Sequence, residues 1–125
     1  MNKVISMMGR SPFTNSRMSG VRDRRYTIRY PFAADAELLD LESGTRIEGV
    51  TSDISLGGCF ICASKPFPLG TRTRITLTRK EQLVEALAVV RIVKPRIGMG
   101  VEFIDVEPPY DEKLSRLIEQ LRRAR

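Results

Sequence analysis

Thr71-Arg72-Thr73-Arg74-Ile75-Thr76-Leu77-Thr78 alternates along its whole length. Thr71, Thr73, Ile75 and Leu77 form one set, and Arg72, Arg74, Thr76 and Thr78 form the other. Successive side chains of an extended strand point to opposite faces, so Ile75 and Leu77 turn inward and Arg72 and Arg74 meet water. A strand buried on one face only marks an antiparallel sheet. Working upstream, Lys65-Pro66-Phe67-Pro68-Leu69-Gly70 is a loop held by two prolines, and Cys59-Phe60-Ile61-Cys62 is a short strand. Before it stands Asp53-Ile54-Ser55-Leu56-Gly57-Gly58, a turn that leads into that strand. Arg46 to Ile54 and Phe32 to Leu41 read as two further strands. Ile47, Val50 and Ile54 are the apolar positions of the first, and Phe32, Ala34, Ala36 and Leu38 alternate in the second. Glu42-Ser43-Gly44-Thr45 joins them as a hairpin turn.

Downstream, Leu83 to Val93 and Met99 to Ile104 form a second hairpin around Pro95-Arg96-Ile97-Gly98. The period then changes. Tyr110, Leu114, Leu117, Ile118 and Leu121 recur at spacings of three and four, with charged residues between them, which predicts an amphipathic helix of about four turns. Asp111 and Glu112 stand in its first turn and Arg122, Arg123 and Arg125 in its last, as the helix dipole favours. A polar face of mixed sign fits a helix packed on the body better than one lying on a membrane. The expected fold is all-β with a C-terminal helix. Six short strands are best accommodated in a closed or nearly closed antiparallel barrel, which hides strand edges.

The chain has 125 residues, enough for one domain with one core. Its net charge of +6 is unevenly placed. Residues 1–29 hold seven basic side chains against the single acid Asp23, while the remainder carries fourteen of each sign. Residues 1–21 read as a flexible tail leading into a basic arm, and residues 22–122 as the folded domain. Such an arm fits an anionic partner.

Histidine is absent, which removes the commonest general base and metal ligand. Cys59 and Cys62 are the only cysteines. Three apart on a strand they face opposite sides, roughly 10 Å from each other, too far for a disulfide. A zinc site would lack two of its ligands. Both are expected to be strand residues in a reducing cytoplasm, one in the core and one partly exposed. No secretory signal and no apolar run long enough to span a bilayer is found, so membrane insertion is not expected. With no paired acids at a productive spacing either, an enzyme is not expected, and neither a metal nor a cofactor is predicted.

The chemistry gathers at Asp53–Gly58. Asp53 and Ser55, two apart, can address one object if the backbone stays extended. Gly57 and Gly58 lack Cβ atoms where the chain turns or a ligand comes close. Arg24, Arg25 and Arg29 stand just before the first strand. Arginine matches phosphate oxygens and the guanine O6/N7 edge, and it stacks on aromatic planes. A carboxylate would repel bare phosphate but accepts from the N–H groups of a guanine edge. Together these types suit a guanine nucleotide.

These residues carry a family resemblance. Arg25-Tyr26-Thr27-Ile28-Arg29 is an RxxxR, Asp53–Gly58 is a DxSxxG, and Gly98-Met99-Gly100-Val101-Glu102-Phe103 precedes the terminal helix. In order, spacing and strand context, residues 22–122 resemble a PilZ domain. The resemblance implies a six-stranded antiparallel β-barrel with a C-terminal helix that serves as a bacterial receptor for cyclic di-GMP. It further implies that Arg25 and Arg29 grip phosphates and guanine faces, and that Asp53, Ser55 and Gly58 read a guanine edge. Arg24, a basic residue just before RxxxR, implies a stacked pair of ligand molecules. An arm ordered by the ligand would reshape the surface that a protein effector reads. Two other readings are a ligand-independent protein–protein adaptor and a small barrel binding single-stranded nucleic acid. The second is disfavoured by a neutral body and by aromatics at core-like positions.

Overall fold

Thr73, Ile75 and Leu77 are buried and Arg72 and Arg74 exposed in the computed structural model, which describes residues 27–124. This strand, Arg72–Arg79, is the fifth of seven. The others are β1 (Tyr30–Pro31), β2 (Asp35–Asp40), β3 (Arg46–Ile54), β4 (Gly58–Cys62), β6 (Gln82–Lys94) and β7 (Gly98–Asp105). Helix α1 spans Tyr110–Arg123. β5 lies between β2 and β6, and the register sets Leu38, Ile75 and Ala86 side by side in one buried row.

All pairings are antiparallel, in the order β3-β2-β5-β6-β7-β4, and β4 pairs back to β3. The ring is therefore a closed six-stranded barrel, as the alternation predicts. The seventh strand is an addition. β2 pairs with residues 46–50 of β3, and beyond its end β1 takes the same side of β3, with Tyr30 opposite Ile54 and Pro31 opposite Asp53. A proline is tolerated there because β1 lies at an edge.

Leu38, Ile54, Ile61, Ile75, Val90 and Met99 fill the barrel, with at most 1% of each exposed. Leu114, Leu117 and Ile118 of α1 join the same core beside Tyr30 and Phe32. Burying each of these three helical side chains contributes roughly 2 kcal/mol, so packing on the barrel is what holds the helix. Among the described residues no helix is long and apolar enough to cross a membrane.

β3 departs from expectation at Val50, which is 45% exposed while its neighbour Thr51 is buried. Spacings of three and four, as in Ile47, Val50 and Ile54, cannot keep three side chains on one face of a strand. A register shift between Thr51 and Asp53 restores Ile54 to the interior. The inward place next to Val50 goes to Thr51, whose hydroxyl donates to the Phe32 carbonyl at 2.6 Å and accepts from the Ala34 amide at 2.9 Å. A buried hydroxyl so bonded costs little. The β6–β7 pairing shifts register twice as well, with Ile104 of β7 extra at the first shift and Arg91 of β6 extra at the second.

The β6–β7 turn carries strain. The Ile97 amide donates to the Lys94 carbonyl at 2.9 Å across Pro95 and Arg96, and Arg96 has φ +66°. Proline followed by a left-handed residue is type II turn geometry, whose second position favours glycine. Arg96→Gly is expected to raise stability by about 1 kcal/mol in chemical denaturation with an unchanged m-value. An unchanged or lower midpoint would argue against left-handed strain at Arg96.

Candidate functional site

The site begins where β3 ends. Asp53 lies at the bulge, opposite Phe60 of β4, and its Oδ1 accepts from the Phe60 amide at 3.1 Å. The same oxygen accepts from Nη1 of Arg29 at 2.8 Å. Arg29 immediately precedes β1, and the pairing of Pro31 with Asp53 brings the two side chains together across 24 residues of sequence. Their side chains are 46% and 29% exposed, so this is a surface pair, worth less than about 1 kcal/mol and exchangeable.

Ser55 lies one residue beyond β3, where the chain turns, and the same-side rule for an extended strand does not reach it. Its side chain is buried. The Ser55 amide donates to the Gly58 carbonyl at 2.8 Å, and its hydroxyl accepts from the Gly57 amide at 3.1 Å. The structure thus places Ser55 as the brace of the turn, while Asp53 presents its carboxylate at the surface. The Gly57 carbonyl accepts from the Phe103 amide at 2.8 Å, tying the turn to β7. Gly58 is buried, and a Cβ there would lie 2.1 Å from the Val101 carbonyl oxygen. Close approach of β4 to β7 demands glycine at this position. Arg24 and Arg25 lie outside the described residues.

Cys59 is fully buried and Cys62 is exposed, and both are free thiols, as opposite faces of one strand require. Burial pushes the Cys59 thiol well above its ordinary range; the Asp53 carboxylate adds to the rise and the Arg29 guanidinium opposes it. Because the folded-state value is raised, the neutral thiol's contribution is fully present below the unfolded-state value of about 9 and is lost as pH climbs above it. Wild type is expected to lose up to about 1.4 kcal/mol per pH unit more than Cys59→Ala above pH 9, read from urea denaturation at stepped pH. Parallel pH profiles would show that Cys59 does not titrate on unfolding.

Sequence reasoning did not single out the neighbours of this turn on the outer barrel face. Lys94 lies 5.4 Å over the ring of Phe60, and Arg91 of β6 bonds Glu102 of β7 at 2.8 Å. Glu102 is directly opposite Gly58 in the register. Glu102 belongs to the Gly98–Phe103 stretch, but no local pattern announces Arg91 or Lys94, because only strand order sets β6 beside β7 and β7 beside β4.

Comparison with known proteins bears on the fold and the family. A family model described as PilZ domain matches residues 23–120. Solved structures similar to this chain include a PilZ domain of CeSA from a cellulose-synthesizing bacterium, at 23% identity and TM-score 0.61, covering 76% of this chain and 98% of that one. Another is the PilZ domain with c-di-GMP of YcgR from Escherichia coli, at 19% identity and TM-score 0.65, covering 82% and 94%. A third is the Bacillus subtilis inhibitor of motility MotI/DgrA, at 20% identity and TM-score 0.65, covering 84% of this chain and 55% of that one. No curated protein matches by sequence.

Proposed function

Because this chain belongs to the PilZ domain family, we propose that it is a receptor for cyclic di-GMP that signals to a protein partner through its arginine-rich arm. The observation that carries the proposal is the contact between Arg29 and Asp53 at 2.8 Å. The last arginine of the RxxxR and the acid of the DxSxxG meet at the barrel surface, so one ligand can touch both.

The chemistry is an exchange of partners. A guanine edge offers two adjacent N–H donors, and a carboxylate accepts both. Each such charge-assisted bond is worth about 1.5–3 kcal/mol, more than the exposed pair it displaces. Arg29, released from Asp53, turns its planar fork to a phosphate or a guanine face. Arg24 and Arg25 supply further positive charge from the arm, and Arg24 favours a stacked pair of ligand molecules. Ser55, Gly57 and Gly58 act by shaping the turn that holds Asp53 at the surface. Residues 22–122 make up the receptor domain and residues 1–21 a tail. Ordering the arm against the barrel changes the surface that a protein effector meets.

Isothermal titration of the full chain with cyclic di-GMP, beside GTP and cyclic GMP, tests this reading. Selective binding at micromolar or lower concentration is expected, and the stoichiometry counts the ligands. Absence of cyclic di-GMP binding at that level would overturn the proposal. An Arg25→Ala variant that binds as well as wild type would remove the arm from the site.

A further inference from the structure

A groove of about 270 Å³ runs between α1 and the β5–β6 hairpin, with Phe32, three residues beyond Arg29, in its lining. Phe32, Leu77, Val84 and Leu117 line its floor. A second depression, lined by Phe32, Arg79, Lys80 and Leu117, continues it toward the hairpin tip. The second depression measures about 530 Å³, and an open trough along a helix and a hairpin suits apolar side chains presented by a peptide.

The rim carries the stronger signal. Arg79, Lys80, Lys113 and Arg116 border the groove against the single acid Glu81. Residues 30–125 hold fourteen charges of each sign, so four cations beside one acid is a local concentration and not the average of the surface. Arg116 reaches Glu112 at 3.5 Å, but both side chains are more than 70% exposed, and such a pair gives way readily. Lys80 sits in a two-residue loop at φ +55°, a conformation in which glycine would be less strained. Lys80 thus places a cation at the mouth of the groove.

We propose that this groove is a docking site for an acidic, amphipathic segment of a partner protein. Apolar anchors would enter over Leu77, Val84 and Leu117, and flanking Asp or Glu side chains would face Lys80, Lys113, Arg116 and Arg79, whose guanidinium lies 5.1 Å over the Phe32 ring. The chain's own first 29 residues are a poor occupant, since seven basic side chains against one acid would meet a rim of the same sign. The proposal names the chemistry of a partner for the receptor described above, and it holds whether or not the nucleotide binds.

Selection of a random peptide library displayed on phage against the nucleotide-free full chain tests it. Enriched peptides are expected to be rich in Asp and Glu around apolar residues at helical spacing. A synthetic copy of an enriched peptide should bind at least about tenfold more weakly to Arg79→Glu/Lys113→Glu, by charge reversal, and to Gln120→Trp, which fills the groove without touching its charge. Circular dichroism establishes that each variant is folded. No enrichment, enrichment of basic or uncharged peptides, or equal binding to folded variants would overturn the proposal. So would sedimentation showing a dimer that Gln120→Trp dissociates, because the occupant would then be a second copy of this chain. Failure of cyclic di-GMP binding leaves these readouts unchanged, so the two proposals fail separately.

Discussion

Gly58→Ala is expected to be among the most damaging small substitutions in the barrel. The added Cβ would lie 2.1 Å from the Val101 carbonyl oxygen and 3.1 Å from its carbon, and both are backbone atoms that no rotamer change can move. Relief requires β4 to part from β7 at the Gly58–Glu102 pairing and strains the bond from the Phe103 amide to Gly57. The Gly58 carbonyl also receives the Ser55 amide, so the turn loosens with the strand. A loss of about 3 kcal/mol or more follows from overpacking together with weakened ladder bonds. Thermal unfolding followed by circular dichroism should show the midpoint fall by roughly 10–20 °C. A melt like that of wild type would mean that β4 and β7 separate without cost, contrary to the close approach described here.

Asp53→Ala is expected to have the largest effect on the ligand. It removes the acceptor proposed to read the guanine edge, and cyclic di-GMP affinity should drop by about a hundredfold, near 2.7 kcal/mol. It also leaves the part-buried Phe60 amide without its 3.1 Å partner, at about 1–2 kcal/mol of stability. Asp53→Asn separates these effects. Its carbonyl oxygen can still accept from Phe60, so stability should stay near wild type, while the lost charge and second acceptor still weaken binding. Arg29→Ala should barely change stability, because its pair with Asp53 is exposed, yet it should weaken binding by about tenfold or more. If Asp53→Asn binds cyclic di-GMP like wild type, Asp53 does not read the base.

The fold was largely legible because two periods carry it. The alternation at Thr71–Thr78 and at Phe32–Leu38 marks the strands, and the three-four spacing from Tyr110 to Leu121 marks the helix that buries Leu114, Leu117 and Ile118. Where a local irregularity enters, periodicity loses its hold. Val50 faces water and Thr51 the core because a bulge shifts register beyond it, and a bulge depends on the partner strand, not on the residues within it. β1 went unseen for a related reason: two residues cannot show a period, and the strand exists by virtue of the edge that β3 offers.

The site divides in the same way. The proposed chemistry was drawn from residue types: a carboxylate with a turn on one side and a concentration of arginine on the other. Ser55 belonged to the same motif, but the chain turns just before it, and its hydroxyl became part of the turn's own hydrogen bonding. By itself, then, the sequence determined which elements form and which charges must be accommodated, since those follow from side-chain period and composition. Only the tertiary structure decided that Arg29 reaches Asp53 and that the cations of α1 and the β5–β6 hairpin border one groove. Such meetings depend on strand register and ring closure, which join residues far apart in the chain through backbone pairing that no local pattern records.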